Sequence, residues 1–203
     1  MADPRCDSVL YRKREFTLLC SSNPGLFQPQ DHGLAPQPQT TPDRRGFLCD
    51  YRVEEESLLL GRVQLGVTYQ EQLLVAAGRG PSLLGARGCV APEDNLRVVY
   101  SGLSTPVCFS GGLLLGEGYI HAMPLVGREL ELRKNTCHPA YEWHTIQELL
   151  FEEGRLVEAR DCSGAIAQAR RDLTSGHHEI GSMAWRAELA RLTSQAFRAD
   201  YRC

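Results

Sequence analysis

Residues Gly46 to Leu65 read GFLCDYRVEEESLLLGRVQL, and this stretch constrains the fold more than any other. Phe47, Cys49, Tyr51 and Val53 alternate with Leu48, Asp50 and Arg52. Side chains along an extended strand point to opposite faces in turn, so this alternation predicts a strand with one face inward. Glu54–Ser57 is a polar break, and Leu58–Leu65 is the returning strand. The unit is a hairpin, and a hairpin alone is marginal in water. The rest of the chain must therefore supply more strands to cover its apolar face.

Further runs supply them. Val9–Arg12 and Phe16–Cys20 predict a small hairpin, and Leu96–Tyr100 (LRVVY) a short strand. Leu113–Leu115 and Tyr119–Met123 flank Gly116-Glu117-Gly118, which predicts a turn between two strands. Glu142 onward pairs with Arg155–Arg160 across Glu153-Gly154. That register sets Glu152 opposite Arg155, Phe151 opposite Leu156 and Leu150 opposite Val157, joining charge to charge and apolar to apolar. Val67–Ala77 is read as a further strand. Ser21–Arg45 holds Pro24, Pro29, Pro36, Pro38 and Pro42, and proline's fixed φ and missing donor make it a long surface loop. Gly78–Glu93 is glycine-rich but has neither the Lys-Ser/Thr of a phosphate loop nor G-x-G-x-x-G, so it is read as plain loop.

The tail changes character. Ser163–Leu173 is an Ala- and Arg-rich short helix, and Thr174–His178 breaks it. Ser182 then offers an N-cap for Met183–Arg198, whose Trp185, Leu189, Leu192 and Ala196 form one apolar stripe. The expected fold is α+β, predominantly antiparallel β, as an open barrel or sandwich of hairpins with a C-terminal helix. A β-rich domain spans 1–162, with the loop 21–45, and a helical segment at 163–203 packs on it.

Formal net charge is -3 over 203 residues, and each short basic cluster has acidic neighbours, which argues against nucleic acid as a partner. No run of about 18 apolar residues exists, so no membrane helix is expected. MADPRCDSVLYRKREF lacks an apolar leader core, so no secretory signal is expected and cytoplasmic placement follows. The eight cysteines are scattered without a CxxC pair, which predicts reduced thiols.

The chemically richest stretch is TCHPAYEWHTIQELLFEEGRL, residues 136–156, with Cys137, His138, Glu142 and His144 close together. On a strand, Glu142 and His144 would share a face with Ile146 and Glu148. Zinc needs three or four converging ligands, and a Cys–His nucleophile needs a thiolate activated by a neighbouring imidazole, which adjacent Cys137 and His138, with diverging side chains, do not easily provide. His121, Cys108 and Tyr51 are further candidates for such a site, and His177-His178-Glu179 is a second possible ligand set. The balance of these readings is a strand with a polar edge, with no catalytic, cofactor or metal residue assigned.

RRGFLCDYRVEEESLLLGRVQL, FSGGLLLGEGYI (Phe109–Ile120) and ELLFEEGRLVEA (Glu148–Ala159) resemble the hairpins of a family of small uncharacterised bacterial proteins. The resemblance spans Leu10 to Leu173. Cys49-Asp50-Tyr51 replaces a segment that usually carries a tryptophan there, and the tail after Thr174 has no counterpart. The resemblance implies a bacterial cytosolic protein and carries no catalytic residues over. The expected function is non-enzymatic protein–protein interaction, with immunity or defence as its context. The alternative is a small-molecule or metal binder, or a hydrolase, with a site near residues 137–144.

Overall fold

The structure is a computed structural model, and it describes residues 6–38, 45–91, 96–120, 138–175 and 182–201. In chain order the elements are β1 (Ser8–Tyr11), β2 (Arg14–Ser21), β3 (Phe47–Glu54), β4 (Ser57–Gly66), α1 (Tyr69–Ala76) and three two-residue strands. These are β5 (Ser82–Leu83), β6 (Ala86–Arg87) and β7 (Cys89–Val90). Then follow β8 (Arg97–Tyr100), β9 (Thr105–Pro106), β10 (Gly111–Tyr119), β11 (Trp143–Glu152), β12 (Arg155–Asp161), α2 (Ser163–Ser175) and α3 (Met183–Ala196).

The predicted class holds: the protein is α+β and predominantly antiparallel β. Strands run in the order β12-β11-β10-β2-β1-β3-β4-β8-β7, and β12 also meets β4, which bends the sheet into a nearly closed ring. Only β1 and β3 pair in parallel among the described strands. The ring closes where two hairpin turns meet. Arg155 lies opposite Ser57, Leu156 N–H donates to Glu56 O at 2.6 Å, and Leu58 N–H donates to Gly154 O at 2.8 Å.

Three hairpins use the same two-residue turn. Arg12 and Lys13 have φ of 50° and 65°, Glu55 and Glu56 47° and 62°, and Glu153 and Gly154 48° and 82°. Two successive left-handed residues match the right-handed twist of the strands they join. Side-chain alternation then sorts the residues. Phe16, Leu18, Leu58, Leu60, Leu113, Leu115, Leu149 and Phe151 fill one core inside the ring. Leu19, Leu114 and Ile146 point outward and pack with Trp143, Ile166, Trp185 and Leu189 in a second core beneath α2 and α3. The sheet is thus apolar on both faces along β10 and β11.

Four expectations are corrected. Val67–Ala77 is not a strand: Thr68 opens α1 with a capping box, its hydroxyl accepting from Glu71 N–H while the Glu71 carboxylate accepts from Thr68 N–H. Gly116-Glu117-Gly118 is not a turn. β10 runs through it unbroken, paired with β11 from Gly111↔Phe151 to Tyr119↔Trp143. Gly116 serves closeness there, since a Cβ would lie 2.7 Å from the Trp143 ring. A bulge between Leu150 and Phe151 sets Leu150 opposite Glu158 and not Val157. Finally, Glu142 precedes β11, in a 3-10 turn at Ala140–Glu142.

The described part of the Pro-rich loop, residues 22–38, holds a 3-10 turn at Pro29–His32 ended by Gly33 at φ 74°. It sends Leu34 into the inner core, with Leu26 and Phe27 packed against it. Cys49, Cys89, Cys108 and Cys162 are free thiols, whereas Cys6 and Cys20 are disulfide-bonded. The expectation of reduced thiols throughout therefore fails at Cys6 and Cys20. Among the described residues no helix is long and apolar enough to cross a membrane.

Candidate functional site

Pro139 fixes the start of the 3-10 turn, with φ -65°. Glu142 N–H donates to Pro139 O at 3.0 Å, and this tight turn folds Glu142 back onto His138. His138 Nδ1 and Glu142 Oε2 are 2.8 Å apart, and Glu142 is fully buried. The contact through Nδ1 gives the imidazole a defined orientation. The Tyr119 ring covers the imidazole at 4.2 Å between centroids. Trp143 Nε1 donates to His138 O at 3.2 Å, and Ile120 N–H donates to Glu142 O at 2.8 Å. From α2, Arg170 donates to the carbonyls of Tyr141 (2.8 Å) and Trp143 (2.7 Å), holding the turn from outside. Glu142 Oε1 has no hydrogen-bond partner among the described residues.

The structure therefore joins two of the four residues singled out around 137–144. His144 is exposed, because β11 begins at Trp143 and not at Glu142, and the shared face expected of the pair is lost. Cys137 lies outside the described residues, as do His121 and His177-His178-Glu179. Tyr51 belongs to the inner core, across the sheet from Tyr141 and Trp143 in the outer one. Cys108 is exposed. Among the described residues no group of three or more His, Cys, Asp or Glu is placed to hold a metal ion.

A second buried acid was missed by reading the sequence. Glu148 on β11 is fully buried on the outer face, and its donors come from β12 and from residues beyond α3. Oε1 accepts from Arg198 N–H (2.9 Å), Ala199 N–H (3.0 Å) and the Tyr201 hydroxyl (3.2 Å). Oε2 accepts from Arg160 Nη1 (3.0 Å) and from Arg198 N–H (3.1 Å). Burial and the neighbouring Glu148 carboxylate push the Tyr201 phenol far above its usual range, so it stays a donor. The only signal in the sequence was a lone acid within the apolar run Ile146–Phe151.

Two other features complete the surface. Asp7, also buried, accepts from Arg45 at 2.7 and 3.2 Å and from Cys49 N–H at 2.9 Å, tying the N-terminal strand to β3. Helix α1 buries only Val75, and Tyr69 and Leu73, one turn apart, are 64% and 52% exposed. Against protein-family models, curated proteins and solved structures, this chain finds no match.

Proposed function

We propose that this is a non-enzymatic interaction protein, which meets its partner through the exposed face of α1. The supporting observation is the pair Tyr69 and Leu73, large apolar side chains held in the open on a firmly capped helix. Apolar residues at this spacing are the usual anchors of helix-mediated recognition. The buried acids Asp7 and Glu148 each tie distant segments together, a structural use of charge. A bacterial, cytoplasmic setting, with immunity or defence as its context, is part of the proposal. The disulfide-bonded Cys6 and Cys20 count against that compartment, where thiols are kept reduced. Affinity capture from the native host with wild-type protein and with Leu73→Asp is the test. A partner retained by the first and lost by the second, at equal thermal stability, supports the reading. An identical set from both, or none from either, defeats it.

A second reading is favoured by one observation, the buried His138–Glu142 contact at 2.8 Å. A carboxylate-oriented imidazole is the arrangement of general bases and of metal-ligating histidines, so the pair would serve a small-molecule, metal or hydrolytic site. Stoichiometric metal by elemental analysis that disappears in His138→Gln supports it. A metal-free protein whose His138→Gln variant differs only in stability counts against it.

A further inference from the structure

We propose that the cleft around Glu148 is a peptide-binding site, filled here by the chain's own Phe197–Tyr201 and able to take the same segment from a second copy. This goes beyond the α1 reading and does not depend on it.

The cleft recognises features of a peptide that are separable. The Glu148 carboxylate takes two successive backbone N–H groups, those of Arg198 and Ala199, which the bend at these residues turns to the same side, whereas an extended segment would point them opposite ways. It also takes the Tyr201 hydroxyl, which selects for a phenol. Gly112, on the adjacent strand β10, forms the floor beside Glu148. A Cβ there would come within 2.8 Å of the Ala199 methyl and would collide with the Tyr201 hydroxyl oxygen, so this close approach favours a small residue at the middle position. Phe197 and Tyr201 pack against the outer core, ring edge to ring face with centroids 5.6 Å apart. Arg198 Nε lies 3.5 Å from Glu158 Oε1 at the rim. The pattern read is aromatic, any, small, any, tyrosine.

The cis occupant points to the trans one. α3 packs chiefly on α2 and ends at Ala196; Phe197, which follows, has an extended φ of -114° and ψ of 154°. Among the described residues, Arg198, Ala199 and Tyr201 beyond α3 supply every polar contact of Glu148 except that of Arg160. A second copy supplies the same five residues in the same order and forms the same bonds, so exchange creates no new contact and costs only association. The cis arrangement prevails in dilute solution because the tether keeps the segment at a high effective concentration. An empty cleft would leave a buried carboxylate facing Arg160 alone, which keeps the site occupied by one copy or the other.

Two full-length variants separate receptor from ligand. Glu148→Gln impairs the cleft and leaves the segment intact, while Ala199→Pro with Tyr201→Phe impairs the segment and leaves the cleft intact. In sedimentation, each alone is expected to be monomeric and the mixture to form a heterodimer, which excess free peptide of sequence Phe197–Tyr201 dissolves. A mixture of folded variants that stays monomeric at every concentration overturns the proposal, as does a dimer that the peptide leaves untouched. Should either variant fail to fold, Cys108→Ser chains carrying donor and acceptor dyes on the exposed Cys89 give the answer. Energy transfer that rises toward a concentration of about 1 mM, the scale of a short tether, and falls with added peptide supports exchange. No transfer over that range, or transfer that the peptide leaves unchanged, overturns it.

Discussion

The Tyr201 hydroxyl occupies the space that a side chain on Gly112 would need. Gly112 sits inside β10, opposite Leu150 of β11, where a strand ordinarily gains from a side chain. Its bareness makes room for the last described residue of the chain. Gly112→Ala should therefore push Tyr201 and Ala199 off the sheet. The expected cost is about 1–3 kcal/mol, the usual range for overpacking a filled site, and hydrogen exchange at Arg198 and Ala199 N–H should accelerate with it. Unchanged exchange at both amides would show that the tail tolerates the methyl.

Glu148 and Arg160 should contribute unequally. Glu148→Gln removes the charge and turns an amide NH₂ toward backbone N–H donors, so a loss of about 1.5–3 kcal/mol is expected, as for hydrogen bonds to a charged group. Arg160 is 34% exposed, and water replaces it, so Arg160→Ala should cost less than about 1 kcal/mol. Denaturant midpoints measure both. Equal losses would mean that the ion pair, and not the tail, is what Glu148 secures.

The pH dependence of stability should carry two opposed carboxylates. Hydrogen bonds from Ser163 at the start of α2 hold Asp161 below its usual range. A group lowered in the folded state stabilises above its unfolded value, about 3.9 for aspartate, and loses that contribution as pH falls through the folded value. Asp161→Asn should thus flatten the acid limb of the stability curve. Burial raises Asp50 despite the Ser8 hydroxyl that donates to it. The sign reverses for it: its contribution is favourable below the unfolded value and is lost as pH rises through the folded one. Asp50→Asn should then help most above that range. Thermal melts from pH 3 to pH 7, at steps of about one unit, read both limbs.

Thiol reactivity should fall into three groups. Cys89 and Cys108 are exposed and should alkylate first. Burial pushes the Cys162 thiol up to about 11 and that of Cys49 further; since thiolate is the nucleophile, both should react only as the protein unfolds. Cys6 and Cys20 should react only after reduction. Mass spectrometry of timed alkylation reads the order, and early labelling of Cys6 or Cys20 without reductant would contradict it.

What the sequence disclosed was local. The hairpins at Gly46–Leu65 and Glu142–Arg160 follow from alternation and turn residues within a few positions of each other, and so does α3 from its cap and stripe. Helix α1 escaped because its apolar residues, Tyr69, Leu73 and Leu74, face water, leaving no stripe toward a core. The pattern Thr68-x-x-Glu71 was nonetheless a legible start signal. Gly116 misled because its role is to admit Trp143, a neighbour 27 positions later. Glu148 was illegible for the same reason in stronger form. A buried acid is explained by its partners, and these lie 50 residues or more away at Arg198, Ala199 and Tyr201. His138 and Glu142 were singled out correctly as neighbours, but their partnership depends on the 3-10 turn after Pro139 and not on a shared strand face.

The meeting of the Glu55-Glu56 and Glu153-Gly154 turns has a kinetic meaning. Each hairpin is short-range and can form within about 1–10 μs. The ring closes only when Glu56 and Arg155, 99 residues apart, find each other, and the intervening chain must already be ordered enough to bring them there. Barriers of that kind grow with the sequence separation of the contacts formed. Closure shares this cost with the β2–β10 pairing, where Thr17 lies opposite Gly116, as far apart in the chain, and weakening either should lengthen refolding more than loosening any single hairpin.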